Sequence, residues 1–157
     1  MGATIEFSIS EQIYGTVPNV FDIMLGAAAD FTEDTSPLPA ERVSSTIGIA
    51  GAAVNGAVYL HLPEALAQSV AQTILKSAAG QSVGDPEVND VVGELCNMIA
   101  GAIKSALCDA DRICAVSTPS VIRGAFAVEA PAGVCAEIFY FTCLGHRLAV
   151  EVHLQIK

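Results

Sequence analysis

A chain of 157 residues with 52% apolar side chains has room for one domain with a substantial core. Its formal net charge of −10, from 7 basic and 17 acidic residues, repels phosphate backbones and anionic lipids, which argues against nucleic-acid and membrane-surface roles. No apolar run reads as long enough to span a bilayer without polar interruption, and "MGATIEFSISEQIYG" lacks the basic stretch and apolar core of a secretory signal. The excess hydrophobicity points instead to a broad buried sheet or an oligomer interface.

In chain order, "SEQIYGTVPNVFDIMLGAAADF" reads as a helix opened by Ser10, with Pro18 as a kink or restart. "TEDTSPLPAER" is a polar, proline-bearing connector. "RVSSTIGIAG" and "NGAVYLHLP" alternate as strands around a turn near Gly51 to Gly56. "PEALAQSVAQTILKSAAG" is a helix with Pro63 at its start and Gly80 after its end. Pro86 and Glu87 open a longer helix that runs to about Asp109. Strand-like runs follow: "RICAVSTP", "VIRGAFAVEA", "VCAEIFYFTCLG" and "HRLAVEVHLQIK", punctuated at Pro119, Pro131 with Gly133, and Gly145.

The pattern predicts an α+β fold, one domain over residues 1–157, with a long antiparallel sheet of about six strands and helices packed on one side. An internal repeat shows through. "NVFDIMLGAA" can be laid over "ELCNMIAGAI" so that Gly26 matches Gly101, and "STIGIAGAAVNGAVYLHL" resembles "AEIFYFTCLGHRLAVEVHL". The two halves, about 10–80 and 86–157, would share one sheet around a pseudo-twofold. The apolar "AEIFYFTCLG" would be an aggregation hazard at an open edge unless paired or covered.

The helix "NDVVGELCNMIAGAIKSALCDAD" is oddly furnished. Asp90, Glu94, Asn97, Gly101, Lys104 and Cys108 fall on one stripe at spacings of three and four. Val91, Val92, Leu95, Met98, Ile99, Ile103, Ala106 and Leu107 form a core face opposite. A glycine in mid-helix costs about 1 kcal/mol against alanine. Gly101, one turn beyond Asn97, would let a bulky partner come close; the alternative is a solvated face with an incidental glycine. The five cysteines, Cys96, Cys108, Cys114, Cys135 and Cys143, have no zinc spacing and read as packed thiols of a reducing cytosol. The histidines, His61, His146 and His153, are scattered along strand-like runs.

Asp90, three residues, Glu94, two residues, Asn97, then Pro119 after 21 more closely resembles the signature of the chemotaxis phosphatase family of CheC, CheX and FliY. "VGELCNMIAGAIKSAL" looks like that family's active helix, "STPSVIRG" like the segment after it, and "FDIMLG" with "STIGIAGAAVNGAVYLHLPEALAQSVAQTIL" fits CheX, so the likeness covers nearly the whole chain. CheC-type members carry two such motifs. Here the matching N-terminal positions are Asn19 and Asp22, which break the Glu-x-x-Asn order, so a single site in the second half is expected, as in CheX. Ala102 departs from the polar residue that many relatives carry there.

The resemblance implies a CheC-like fold, a cytoplasmic protein, and a substrate: the aspartyl phosphate of a CheY-like response regulator. Asn97 would position the hydrolytic water, and Glu94 would pair with the regulator's active-site lysine. Asp90, Gly101 and Pro119 would contact the partner. The Mg2+ would belong to the regulator, so no cofactor or metal site is expected on this chain. The resemblance also implies a homodimer joined through sheet edges. Two other classes stay open: a non-catalytic module that docks a receiver domain, separated by a dephosphorylation assay, and a structural dimerisation domain, separated by whether a phosphorylated receiver binds at all. A cysteine enzyme built on Cys96 lacks a nearby histidine in sequence.

Overall fold

A computed structural model describes residues 7–77 and 81–157. Among these, three helices and seven strands occur in the order α1 (Ile9–Leu25), β1 (Asp30–Phe31), β2 (Arg42–Gly51), β3 (Val54–Pro63), α2 (Glu64–Leu75), α3 (Asp85–Asp109), β4 (Cys114–Val116), β5 (Ser120–Arg123), β6 (Cys135–Cys143) and β7 (His146–Ile156). All strand pairs are antiparallel, in the order β1-β6-β7-β3-β2-β4, with β5 also on β2. The hairpins β2–β3 and β6–β7 flank the central β3–β7 pair. The short strand after α1 pairs with β6, and those after α3 pair with β2, so the sheet is symmetric about its middle.

Alternation sorts the strand residues onto two faces. Val43, Ser45 and Ile47 of β2, Val58, Leu60 and Leu62 of β3, Phe139 and Phe141 of β6, and Leu148, Val150 and Val152 of β7 share one face by register. All are buried. The helices lie here, as Cys96 of α3 shows: its thiol sits 3.7 Å from the Ser45 carbonyl oxygen and 3.9 Å from that of Val58. Ile99, Ile103 and Leu107 of α3 join Ile13, Val17 and Phe21 of α1 and Leu66 and Val70 of α2 in the core. Although α3 is long and apolar enough to cross a membrane by length and composition, its apolar face is packed against this sheet.

Several element ends differ from the sequence expectation. The first helix begins two residues earlier, with the Ser8 side chain accepting from the Glu11 N–H at 3.4 Å, runs through Pro18, and stops at Gly26 in the left-handed region (φ 63°). Its expected last residues instead include β1. The second helix ends at Leu75 with Lys76 as a left-handed cap, while the expected stop at Gly80 lies outside the described residues. The run 121–130 pairs only as far as Arg123; the chain leaves the sheet at Gly124 (φ 103°). It then covers the other face of the sheet, where the Phe126 carbonyl accepts from Arg42 Nη2 at 2.7 Å and the Phe126 ring lies 5.5 Å from that of His61.

Under that cover lies a polar chain that the sequence reading passed over. Ser44 Oγ is 2.7 Å from His61 Nδ1, His61 Nε2 is 3.2 Å from Glu151 Oε1, and His153 Nε2 is 2.6 Å from Glu151 Oε2. All four residues are buried. With both Nε2–H groups donating to the carboxylate, the Ser44 hydroxyl donates to His61 Nδ1, and each named atom is satisfied. Burial alone would raise the Glu151 carboxyl, but the bonds from His61 and His153 outweigh it and hold the group below its ordinary value of 4.5. A depressed carboxyl contributes stability that is present above the unfolded value and lost as pH falls through the folded one. Glu151→Ala is therefore expected to lower unfolding free energy by about 3 kcal/mol at pH 7, through stranded buried imidazoles. In urea titrations the gap to wild type should narrow below the ordinary carboxylate value; a gap unchanged by acid would contradict this role.

Candidate functional site

The site helix, α3, is opened by Gly84, with Pro86 in its first turn, where a missing N–H costs nothing. From there Asp90, Glu94 and Asn97 are all exposed, while Val91, Val92, Leu95 and Cys96 between them are buried. The expected stripe thus lies on one continuous helix, with its first three residues turned outward and Gly101 half-buried. Residues three apart on a helix have Cβ atoms about 5–6 Å apart, so one small polar group can touch Glu94 and Asn97 together. At Gly101 an added Cβ would meet nothing within 4 Å, so the glycine leaves open space rather than accommodating a neighbour within the fold. Lys104 and Cys108, further along, are half-buried.

Pro119 reaches the stripe from the sheet. Thr46 pairs with Ser120 and Ile49 with Val116, so Ser117, Thr118 and Pro119 face only Ile47 and Gly48. This is a bulge carrying one extra residue. Ser117 pins it: its N–H donates to the Gly48 carbonyl at 2.9 Å, and its Oγ accepts from the Gly48 N–H at 2.9 Å. Pro119 has no N–H to lose from the ladder, and a bulge is where a strand tolerates it. Its ring lies over Gly93, where an added Cβ would stand 3.4 Å from Pro119 Cγ. Gly93, next to Glu94, is the residue that sequence reasoning left without a role. The structure assigns it one: it seats the proline beside the stripe.

Neighbouring contacts hold this end of the helix. Arg123 of β5 donates from Nε to Asn89 Oδ1 at 3.0 Å and lies 3.4 Å from Asp85 Oδ1 and 3.9 Å from Glu64 Oε1. These exposed pairs fix orientation more than they add stability. Cys96, though next to Asn97 in sequence, faces the sheet; burial pushes its thiol up to about 12. A nucleophilic role for it is physically unreasonable. Cys143 and Cys114 are likewise buried, whereas Cys135, expected to be packed, is exposed at the start of β6. Among the described residues no group of three or more His, Cys, Asp or Glu side chains could hold a metal ion.

The N-terminal counterpart is organised differently. Asn19 and Asp22 are exposed on α1, but Gly26, matched to Gly101 by sequence, terminates its helix instead of clearing its middle. A carboxylate at position 22, where the second half has the amide of Asn97, would repel an anionic group.

A family model described as "Chemotaxis phosphatase CheX" matches residues 43–142. No curated protein matches in sequence. Among solved structures, the chemotaxis protein CheX from Vibrio vulnificus is similar at 24% identity, covering 99% of this chain and 100% of that one, with a TM-score of 0.78. A CheX from Desulfovibrio desulfuricans is similar at 23% identity and TM-score 0.78, covering 95% and 100%. A chain from the CheX–CheY–BeF3–Mg2+ complex of Borrelia burgdorferi is similar at 20% identity and TM-score 0.76, covering 96% and 99%.

Proposed function

The chain belongs to the CheX chemotaxis phosphatase family, and from that premise we propose that it hydrolyses the aspartyl phosphate of a CheY-like response regulator in the cytoplasm, with Asn97 and Glu94 as the working residues. The observation that carries the reading is the outward pairing of Glu94 and Asn97 one turn apart on a rigid, core-anchored helix, with Pro119 set beside them over Gly93. A structural relative has been crystallised with CheY, BeF3 and Mg2+.

The chemistry suits these groups. An acyl phosphate is labile, and its transfer to water passes through a loose, in-line transition state that needs positioning more than base catalysis. The Asn97 carboxamide can hold a water through its oxygen and its NH2 group, and it is neutral, so it can enter beside an anionic phosphoryl group. Glu94 supplies the charge for a pair with the regulator's lysine, fixing register. Asp90 lies one turn toward the helix start and Pro119 forms a wall on one side, both as partner contacts. The Mg2+ is carried by the regulator. The test is to mix the protein with Mg2+-loaded, phosphorylated receiver domains and follow phosphate loss; binding without acceleration would leave a docking module and defeat the phosphatase reading.

Gly101 offers a separate check. Gly101→Ala meets no neighbour, so the helix should gain up to about 1 kcal/mol of stability. If a regulator loop closes over this position, the same variant should bind phosphorylated receiver more weakly. A variant that is both more stable and equally tight would remove Gly101 from the partner surface.

We also propose a homodimer built through the β6 edge. β1 pairs with β6 at Phe141 and Thr142 and the Thr32 N–H reaches the Tyr140 carbonyl at 3.0 Å, so among the described residues no strand pairs the outer edge of the first part of β6. Ile138 on β6, Phe31 on β1 and Tyr14 on α1 are exposed nearby, at 48%, 49% and 44%. Such an edge is a template for pairing with another chain. Light scattering is expected to give about twice the 16.2 kDa chain mass; the monomer mass at micromolar concentration would refute the dimer.

A further inference from the structure

The face of the sheet turned away from the site helix carries a feature that the dephosphorylation chemistry does not use. Two segments lie over that face, each pinned by an arginine. Arg147 Nη1 donates to the Asp34 carbonyl at 3.0 Å and Nη2 to that of Pro37 at 3.3 Å, which holds the connector between β1 and β2. Arg42 Nη2 donates to the Phe126 carbonyl at 2.7 Å, and its guanidinium lies 5.8 Å from the centre of the Phe126 ring, which holds the segment after Gly124. Between the two segments a cavity of about 220 Å³ remains. Its walls are mostly apolar, with Leu38 from the connector and Phe126 and Val128 from the later segment. The charged groups that line it are Arg42 and Glu151, with the His61 ring beside them. Few polar groups converging in an apolar hollow is the usual make-up of a small-molecule site. Glu151 is 7% exposed. Its Oε1 accepts from His61 and its Oε2 from His153, and each oxygen keeps a second lone pair. Burial acts to raise this carboxyl, but the two imidazole bonds outweigh it and keep the group ionised. Arg42 is half-buried, and among the described residues no carboxylate pairs with it. The cavity therefore holds one fixed anion and one fixed cation, neither met by a permanently charged partner. Apolar side chains of similar volume would serve stability as well or better, so stability alone does not account for the pair.

We propose that this cavity binds a small zwitterion, a free amino acid with an apolar body. The ligand's ammonium donates to the open lone pairs of Glu151, its carboxylate takes the charge of Arg42, and its carbon skeleton lies against Leu38, Phe126 and Val128. Both polar contacts are charge-assisted and therefore strong for their number. A ligand with a single charge would leave the opposite protein group desolvated and unpaired, which is costly. The cavity thus selects against simple amines and simple fatty acids of the same size. Its volume is below the roughly 300–1,000 Å³ of sites for drug-sized molecules, which suits one amino acid and excludes a peptide.

The test is calorimetric titration of the full-length protein, with thermal unfolding alongside. The probes are L-leucine and δ-aminovalerate, which differ in the separation of their charges, and isocaproate and isoamylamine, which each carry one charge. At least one zwitterion is expected to bind saturably at millimolar concentration and to raise the melting temperature. The singly charged probes should bind at least about tenfold more weakly. Glu151→Gln should weaken the zwitterion by about tenfold or more, since it removes the anion. Because that change also touches the buried histidines, a second variant leaves every charge in place. Ala127→Leu fills the cavity from an exposed position on the covering segment and should abolish binding in a protein with unchanged circular dichroism. Absence of saturable binding by both zwitterions, equal binding of a singly charged probe, or undiminished binding in folded Ala127→Leu or Glu151→Gln would overturn the proposal. No phosphorylated receiver enters these measurements, so the proposal stands or falls apart from the phosphatase reading.

Discussion

Asn97→Ala is expected to reduce single-turnover dephosphorylation by about 100-fold, the scale of losing a correctly placed reactant, while leaving the fold intact. The side chain is exposed, and exposed substitutions usually change stability by within about 0.5 kcal/mol. In the proposed mechanism its contribution is made mainly in the transition state, where water must stand opposite the leaving carboxylate, so the loss should fall on turnover and spare most of the affinity. Asn97→Asp keeps the size but adds charge beside the phosphoryl group, and it should not restore activity. Glu94→Ala should behave differently, weakening receiver binding by about 2 kcal/mol through loss of a charge-assisted contact. Rates at saturating phosphorylated receiver, with melting curves for each variant, decide the matter; near-wild-type turnover for Asn97→Ala would end the mechanism.

Gly56→Ala should be the most damaging single methyl in the sheet. Gly56 lies in β3 opposite Leu154 of β7, the central pair. A Cβ there would run into the His153 carbonyl oxygen and stand 2.8 Å from Leu154 Cδ2 and 3.0 Å from the His153 carbonyl carbon. These are mostly backbone atoms in a paired ladder, so relief means parting the strands that join the two hairpins. Overpacking costs about 1–3 kcal/mol, occasionally more, and this position belongs at the upper end. The same shift would disturb His153 and its bond to Glu151. Urea unfolding is the measurement; a midpoint equal to wild type would mean that β3 and β7 approach less closely at this point.

The sequence was legible where one local rule governs. Alternation alone delimits Arg42–Gly51, and the three-four stripe from Asp90 to Gly101 places the exposed side of α3, because its apolar complement can only face a core. It was misleading where a single backbone angle overrides the pattern: "VIRGAFAVEA" alternates like one strand, yet Gly124 turns it out of the sheet after Arg123. It was silent where function or stability depends on register between distant strands. Ser44, His61, Glu151 and His153 meet only because β2, β3 and β7 align as they do, and no spacing within one segment announces it. Gly93 falls between these cases. A helical glycine is visible in sequence, but its reason is a proline brought from a bulge on another element. Of the expected roles, the exposure of Glu94 and Asn97 follows from periodicity, whereas their chemistry rests on family membership and on the assays described above.

The extra residue in Ser117–Pro119 gives this site room to diversify. Strand register on either side is fixed by pairs with β2, and α3 is fixed by its own buried face, so the Thr118 side chain, between the pinning Ser117 and the seated Pro119, can change without displacing Glu94 or Asn97. After gene duplication, one copy could acquire a new client through substitutions at Thr118 while inheriting Glu94 and Asn97 unaltered. Sister proteins in one cell could then be insulated from each other's regulators by a few side chains at the rim, and selection for fidelity would act on the bulge while selection for speed acts on the helix.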